Sequence, residues 1–176
     1  YCYAKSMAVR FKRVLPHVWK DEQIRWKDVN RRYRKMDGTV MFPSSHDITD
    51  GNFDACFTVL KKLVEAGNRV LVVSKPHLDC VREICDNLEE HRDKILFRFT
   101  IGARDNEILS FWEPNAPTYT ERSEALKYAF EAGYATSVSV EPMLDAPDID
   151  SLVEDLSPFI TESLWIGKMN GIRRRV

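Results

Sequence analysis

The sequence has almost no net charge, since 26 Lys and Arg residues are balanced by 27 Asp and Glu residues, for a formal charge of −1. A chain so balanced creates no overall field that would draw it to nucleic acid. It also lacks any apolar run that approaches the roughly 18 residues needed to span a membrane, and it shows no secretory leader. The sequence therefore predicts a cytoplasmic protein with no membrane partner.

Cysteine is scarce, with four residues in a chain of 176, too few for a disulfide scaffold. Cys80 and Cys85 are five residues apart on a predicted helix, so they point about 140° apart. Neither they nor Cys56 has metal-ligand spacing, and all three are interpreted as core or surface thiols. A glycine-rich phosphate loop is missing too, which argues against a metal-independent enzyme that handles a phosphorylated metabolite through Lys75 and Arg104.

Apolar runs of strand length alternate with segments of helical period from Val40 onward. This alternation is typical of βα units and a parallel sheet. The hydrophobic content of 44% is enough for one core, so residues 1–176 are expected to form a single α/β domain. Five strands are predicted, at 39–44, 69–74, 95–101, 135–141 and 163–167.

Two predicted strands are polar on one side only. Arg98 and Thr100 alternate with apolar residues in the third strand, and Ser137 and Ser139 do so in the fourth. A parallel strand buried on both faces would be apolar throughout. A closed or partly closed barrel, with helices on the apolar side and a polar lumen on the other, explains the pattern. The lumen is the predicted ligand space.

Polar residues also collect where the predicted strands end, at the edge that carries the sites of α/β barrels and open α/β sheets. Singly, each would be an ordinary turn or cap residue, but together they indicate a site. They are Ser44, Ser45, His46, Asp47, Ser74, Lys75, Gly102, Ala103, Arg104, Glu141 and Lys168.

A basic, aromatic segment of two predicted helical stretches, about 4–14 and 25–36, occupies residues 4–36. Residues 5–35 contain eleven bases and three acids, with Trp19, Trp26 and Tyr33 interleaved. A solvated helical face is the common meaning of such a run. The same pattern suits an alternative function, a non-catalytic nucleic-acid-binding module that uses residues 10–35.

The peptide Tyr1-Cys2-Tyr3-Ala4, ahead of these strands, resembles the end of the CxxxCx(aromatic)C loop of radical S-adenosylmethionine (SAM) enzymes. The spore photoproduct lyase-like branch is similar at the turn 44–47, the strand ends 72–76 and 98–101, and the stretch 112–134. The resemblance covers nearly the whole chain. It implies a partial (β/α)6 barrel of the radical SAM type whose first strand and cluster loop are truncated.

The resemblance implies that Cys2 and two upstream cysteines hold a 4Fe-4S cluster, whose remaining iron site binds SAM. An electron from a donor such as flavodoxin or ferredoxin then cleaves SAM to a 5′-deoxyadenosyl radical. The radical abstracts hydrogen from a substrate that the sequence does not identify, with a nucleic acid as one candidate.

Carried over by position, Lys75 is expected to meet the SAM carboxylate. Tyr1 and Tyr3, beside the cluster, are expected either to touch adenine or to relay a hydrogen. The other expected contacts to SAM are Ser44, His46, Asp47, Gly102, Arg104 and Glu141. The lyase branch is expected to use a cysteine as hydrogen donor where this chain has Ser44. Because a hydroxyl is a far poorer radical hydrogen donor than a thiol, repair of thymine dimers is not expected.

Overall fold

Five parallel strands form one sheet in chain order within the part of the chain that the structure describes. This computed structural model describes residues 3–12, 14, 15, 17, 19 and 23–169. The strands are β1 (Thr39–Phe42), β2 (Arg69–Ser74), β3 (Ile95–Thr100), β4 (Ala135–Val140) and β5 (Leu164–Ile166). Each lies inside a predicted strand, so the α/β class and the parallel sheet are confirmed.

The connecting helices pack on one face of this sheet. Because the strands follow in order and crossovers between parallel strands are right-handed, consecutive helices fall on the same side. The helices are α1 (Tyr3–Arg10), α2 (Trp26–Asn30), α3 (Phe53–Glu65), α4 (Leu78–Asn87), α5 (Asn106–Trp112), α6 (Tyr119–Glu131) and α7 (Ile149–Leu156), with short 3-10 turns at Glu89–Lys94 and Ser157–Phe159. None of the described helices is long and apolar enough to cross a membrane.

The core lies between the helices and one set of strand side chains. Phe97 and Phe99 of β3 and Val138 of β4 are almost completely buried, as are Leu60 of α3 and Leu126 of α6. Burying a side chain of this size stabilises the fold by about 1.5–3 kcal/mol. The predicted apolar parity of the third and fourth strands is therefore confirmed.

The opposite face of the sheet is partly open. Met41 and Trp165, on the two edge strands, are 50% and 53% exposed, and Arg98 and Thr100 of β3 are partly exposed. The arrangement is consistent with a partial α/β barrel.

The predicted helix at 25–36 is much shorter in the structure. Only α2 is helical, and Arg31 already has an extended backbone. Asn68, the residue before β2, explains the early end, because its Oδ1 accepts from Met36 N at 2.8 Å and its Nδ2 donates to Arg34 O at 3.2 Å. These bonds hold the chain after α2 as an extended segment beside the sheet.

Candidate functional site

Lys75 follows β2 at the carboxyl edge of the sheet and lies between two carboxylates. Its Nζ is 3.2 Å from Asp47 Oδ2 and 4.0 Å from Glu113 Oε1. The side chain of Asp47 is 36% exposed and that of Lys75 is 23% exposed, whereas that of Glu113 is only 2% exposed. The ammonium group therefore has one partner open to solvent and one buried beneath it.

Asp47 fastens the loop after β1 to the end of β2. Its Oδ1 accepts from the backbone N of Lys75 at 2.8 Å and from Ser74 Oγ at 3.4 Å. Ser74 Oγ in turn accepts from the backbone N of Ile48 at 3.0 Å. These bonds fix the Asp47 carboxylate beside Lys75, because the carboxylate binds the backbone of β2's end and Ser74 binds the backbone of the loop.

Arg122 of α6 holds Glu113 from below. Its Nη1 lies 2.7 Å from Glu113 Oε2 and donates to Thr100 O at 3.2 Å, and its Nε donates to Pro117 O at 2.8 Å. The Arg122 side chain is completely buried. Asp47, Lys75, Glu113 and Arg122 thus form a chain of alternating charges from solvent to the core, which we call the edge network.

Glu113 and Arg122 are not among the predicted site residues, because neither follows a strand. One signal for Arg122 exists in the sequence. It shares helical spacing with Ala125, Leu126 and Ala129, which are all buried. A charged residue on an apolar helix face requires a buried partner, and Glu113 is that partner.

Ser44 and His46 lie in the exposed loop after β1. His46 Nε2 is 3.6 Å from the Sγ of Cys56 on α3. The structure therefore places both residues close to Asp47 along the chain, and Asp47 contacts Lys75.

Gly102 is buried where the loops after β3 and β4 cross. A Cβ at this position would lie 2.8 Å from Pro142 O, and Leu144 N donates to Gly102 O at 2.9 Å. The lack of a side chain allows this close approach of two backbones. Gly102 thus joins two loops of the site.

Arg104 is held by carboxylates at and within α7. Its Nε is 2.9 Å from Asp155 Oδ2 and its Nη1 is 3.4 Å from Asp148 Oδ1. Tyr119 OH donates to the same Asp155 Oδ2 at 3.1 Å, and burial, together with this bond, raises the pKa of Tyr119 to about 12. Arg104 therefore links the loop after β3 to α7.

The remaining predicted residues have different surroundings. Glu141 is exposed at the end of β4, and its side chain fills the space that a Cβ on Gly167 would need. Tyr3 is the first residue of α1, and Cys2 lies outside the described residues. The roles predicted for these three residues stay predictions.

Cys56, Cys80 and Cys85 are buried thiols, so of the two placements predicted for them, core or surface, the structure shows the core. Burial raises the pKa of both Cys80 and Cys85 to about 12, with smaller contributions from nearby carboxylates. They therefore keep their protons at neutral pH, and only a thiolate binds iron well. Among the described residues, no group of three His, Cys, Asp or Glu side chains is placed to hold a metal ion.

Comparison with family models finds no match to this chain, and comparisons with curated proteins and with solved structures find no significant match.

Proposed function

We propose that the chain is the core of a radical SAM enzyme, with SAM bound at the edge network and the substrate facing the open side of the sheet. The observation that carries the proposal is Lys75, held between the exposed Asp47 and the buried Glu113 at the carboxyl edge of a parallel sheet. Sites of α/β proteins lie at this edge. The resemblance around Cys2 supplies the chemistry.

The edge network suits the amino-acid end of SAM. That end is a zwitterion, with a carboxylate and an ammonium group on one carbon. Lys75 and the exposed Asp47 offer a cation and an anion side by side, so each could pair with the opposite charge of the ligand. Glu113, 4.0 Å from Lys75 on its buried side, adds a second negative charge that balances the lysine when Asp47 also pairs with the ligand.

The cluster in this proposal depends on Cys2 and on two cysteines upstream of Tyr1. The three cysteines that the structure describes are buried, and burial keeps Cys80 and Cys85 protonated, so they are poor alternatives. When bound, cluster and SAM supply the electron transfer and the 5′-deoxyadenosyl radical. Flavodoxin or ferredoxin would be the external electron donor.

In this proposal the chain's own residues position the bound SAM and shield it. Arg122 holds Glu113, and Glu113 and Asp47 together hold the Lys75 ammonium group at one place on the strand edge. Gly102 joins the loop after β3 to the loop after β4, and Arg104 joins the loop after β3 to α7. A site fixed from several elements loses little entropy when the ligand binds.

Anaerobic reconstitution of the natural full-length protein with iron and sulfide tests the proposal. A 4Fe-4S absorption band that is lost in Cys2→Ser, and SAM binding that is weakened at least about tenfold in Lys75→Met, would support it. Lys127→Met, which removes an exposed lysine on α6, is the matched control. A protein that assembles no cluster, or assembles it equally well without Cys2, would contradict the proposal.

We propose a second candidate function for the basic segment, the binding of a single-stranded nucleic acid. Residues 30–35 line a shallow groove with Lys62 and Glu65. Arg31, Arg32 and Arg34 are exposed there, and the Arg31 guanidinium lies 4.7 Å from the centre of the Tyr33 ring. Cations interleaved with aromatic rings are typical of single-strand binding surfaces.

Fluorescence anisotropy with a labelled single-stranded oligonucleotide tests this candidate. Affinity should fall steeply with salt, and the triple variant R31E/R32E/R34E should abolish it. The control is R82E/R92E/K127E, which reverses three exposed charges elsewhere. Equal loss in both triple variants would show that overall charge, rather than the groove, determines binding.

A further inference from the structure

The open face of the sheet carries an arginine that pairs with no carboxylate in the part of the chain that the structure describes. Arg98 lies on this face of β3, and its Nε donates to Ser137 Oγ at 3.1 Å. Within the described residues its terminal nitrogens, Nη1 and Nη2, have no hydrogen-bond or ion-pair partner. A partly buried guanidinium with two free donor groups is a site for an oxyanion, because its planar fork matches two oxygens at once.

An exposed indole lies beside this arginine. The Arg98 guanidinium carbon is 5.3 Å from the centre of the Trp165 ring on β5. Trp165 Nε1 donates to Ser163 Oγ at 2.9 Å, and Ser163 Oγ is 3.1 Å from Ser137 Oγ. The hydroxyls therefore connect both side chains, so the fork and the ring are held in a fixed relation before any ligand arrives.

Trp165 keeps 53% of its surface exposed although the arginine lies over its ring. An exposed indole is a stacking platform for planar rings, and stacking on it is worth about 1–3 kcal/mol per base in proteins that bind single strands. The site thus offers two kinds of contact to one ligand, an oxyanion contact at Arg98 and a ring contact at Trp165.

The strand register places Arg98 and Trp165 within the sheet, on the strands that precede the edge network at its carboxyl edge. Arg98 is in register with Val73 of β2 and with Ser137 of β4, and Trp165 is in register with Ser139. Lys75 follows β2 two residues after Val73. Arg98 and Trp165 therefore lie along the open face, on the substrate side of the proposed SAM position.

We infer that Arg98 and Trp165 bind a phosphate ester attached to a planar ring, the chemistry of a nucleotide. The phosphate pairs with the free nitrogens of Arg98, and the ring stacks on the exposed part of Trp165. The inference deepens the proposed function and rests on it in one respect, since it takes the open face as the substrate side. The same chemistry comes from a free nucleotide or from one unit of a single strand.

Equilibrium binding to the natural full-length protein, without added iron or SAM, tests the inference. The probes are adenosine 5′-monophosphate, adenosine, inorganic phosphate and a single-stranded octanucleotide. The monophosphate should bind at least about tenfold more tightly than either of its parts, because the phosphate and the ring each add a contact. An octanucleotide that binds more tightly than the monophosphate, and loses this advantage in Trp165→Ala, would assign the site to a strand. Equal or weaker binding, or an advantage that survives Trp165→Ala, would assign the site to the free nucleotide.

Three variants separate this site from general charge. Arg98→Gln should weaken monophosphate binding about tenfold or more, and Arg98→Lys should weaken it less, because lysine keeps the charge and loses the fork. Trp165→Ala should bring the affinity for the monophosphate close to that for inorganic phosphate.

Arg82→Gln is the matched control, since Arg82 also lies over an aromatic ring, 5.6 Å from the centre of Tyr128, on the outer surface of α4. Thermal unfolding verifies that each variant is folded. Equal binding of adenosine and its monophosphate, or equal effects of Arg98→Gln and Arg82→Gln, would overturn the inference. Because cluster and SAM are absent from this assay, its failure would leave the proposed SAM chemistry to be judged by its own test.

Discussion

Replacing Arg122 by methionine tests the buried half of the edge network. Methionine fits the long, narrow space of the arginine stem, but it cannot pair with Glu113. The Arg122 side chain is completely buried and that of Glu113 is 2% exposed, with their nearest atoms 2.7 Å apart. The variant therefore leaves a carboxylate in the core with Lys75, 4.0 Å away, as the one other cation described near it.

The expected cost is large for a single substitution. Removing one partner of a buried ion pair destabilises a protein by about 3–5 kcal/mol, because the remaining charge is desolvated without compensation. The lost bonds to Thr100 O and Pro117 O add to the same effect. For a domain of this size, such a loss lowers the melting temperature by about 6–20 °C.

Urea denaturation and thermal unfolding of wild type and variants measure the effect. The double variant Glu113→Gln/Arg122→Met removes both charges and should recover much of the lost stability. Lys127→Met, which breaks an exposed pair with Glu131, should change stability by less than about 1 kcal/mol. A loss below about 1 kcal/mol in Arg122→Met, or a double variant no more stable than the single one, would refute the buried-pair account.

Three further predictions concern the thiols and the crossing loops. Cys80 and Cys85 should react with a thiol reagent at pH 8 much more slowly in the folded than in the urea-unfolded protein, because burial keeps them protonated; equal rates would contradict the burial. Stability should decrease as pH rises above about 9, because unfolded thiols ionise near 9 while the folded pKa of Cys80 and of Cys85 is about 12. The urea midpoint of wild type should therefore decrease between pH 9 and 11 relative to that of Cys80→Ala/Cys85→Ala, and an absence of this decrease would contradict the prediction. Gly102→Ala should destabilise by about 1–3 kcal/mol, because its Cβ would press on Pro142 O, and an unchanged urea midpoint would show that the loops separate freely.

The strands could be predicted from the sequence because burial dictates their composition. β2, for example, was located from the run 69–74, since Val70 and Val72 face the helices and must be apolar. The polar parity of β3 likewise revealed the open face, because Arg98 and Thr100 fall on one side of the strand.

Long-range contacts explain what the sequence could not predict. The helix predicted at 25–36 ends at Asn30 because Asn68, more than thirty residues away, binds Met36 and Arg34. Glu113 likewise lies 4.0 Å from Lys75, a residue of the distant strand edge after β2, and no local spacing encodes that contact. The edge of the site was therefore predictable, whereas its buried support was not.

Reductive cleavage of SAM tests the central proposal most directly. The natural full-length protein, reconstituted anaerobically and reduced with dithionite, should convert SAM to 5′-deoxyadenosine and methionine. Lys75→Met should retain the cluster absorption and lose most of its affinity for SAM, so its rate should fall furthest at low SAM concentration. Absence of 5′-deoxyadenosine from a protein that holds its full iron content, or an unchanged SAM dependence in Lys75→Met, would contradict the proposal.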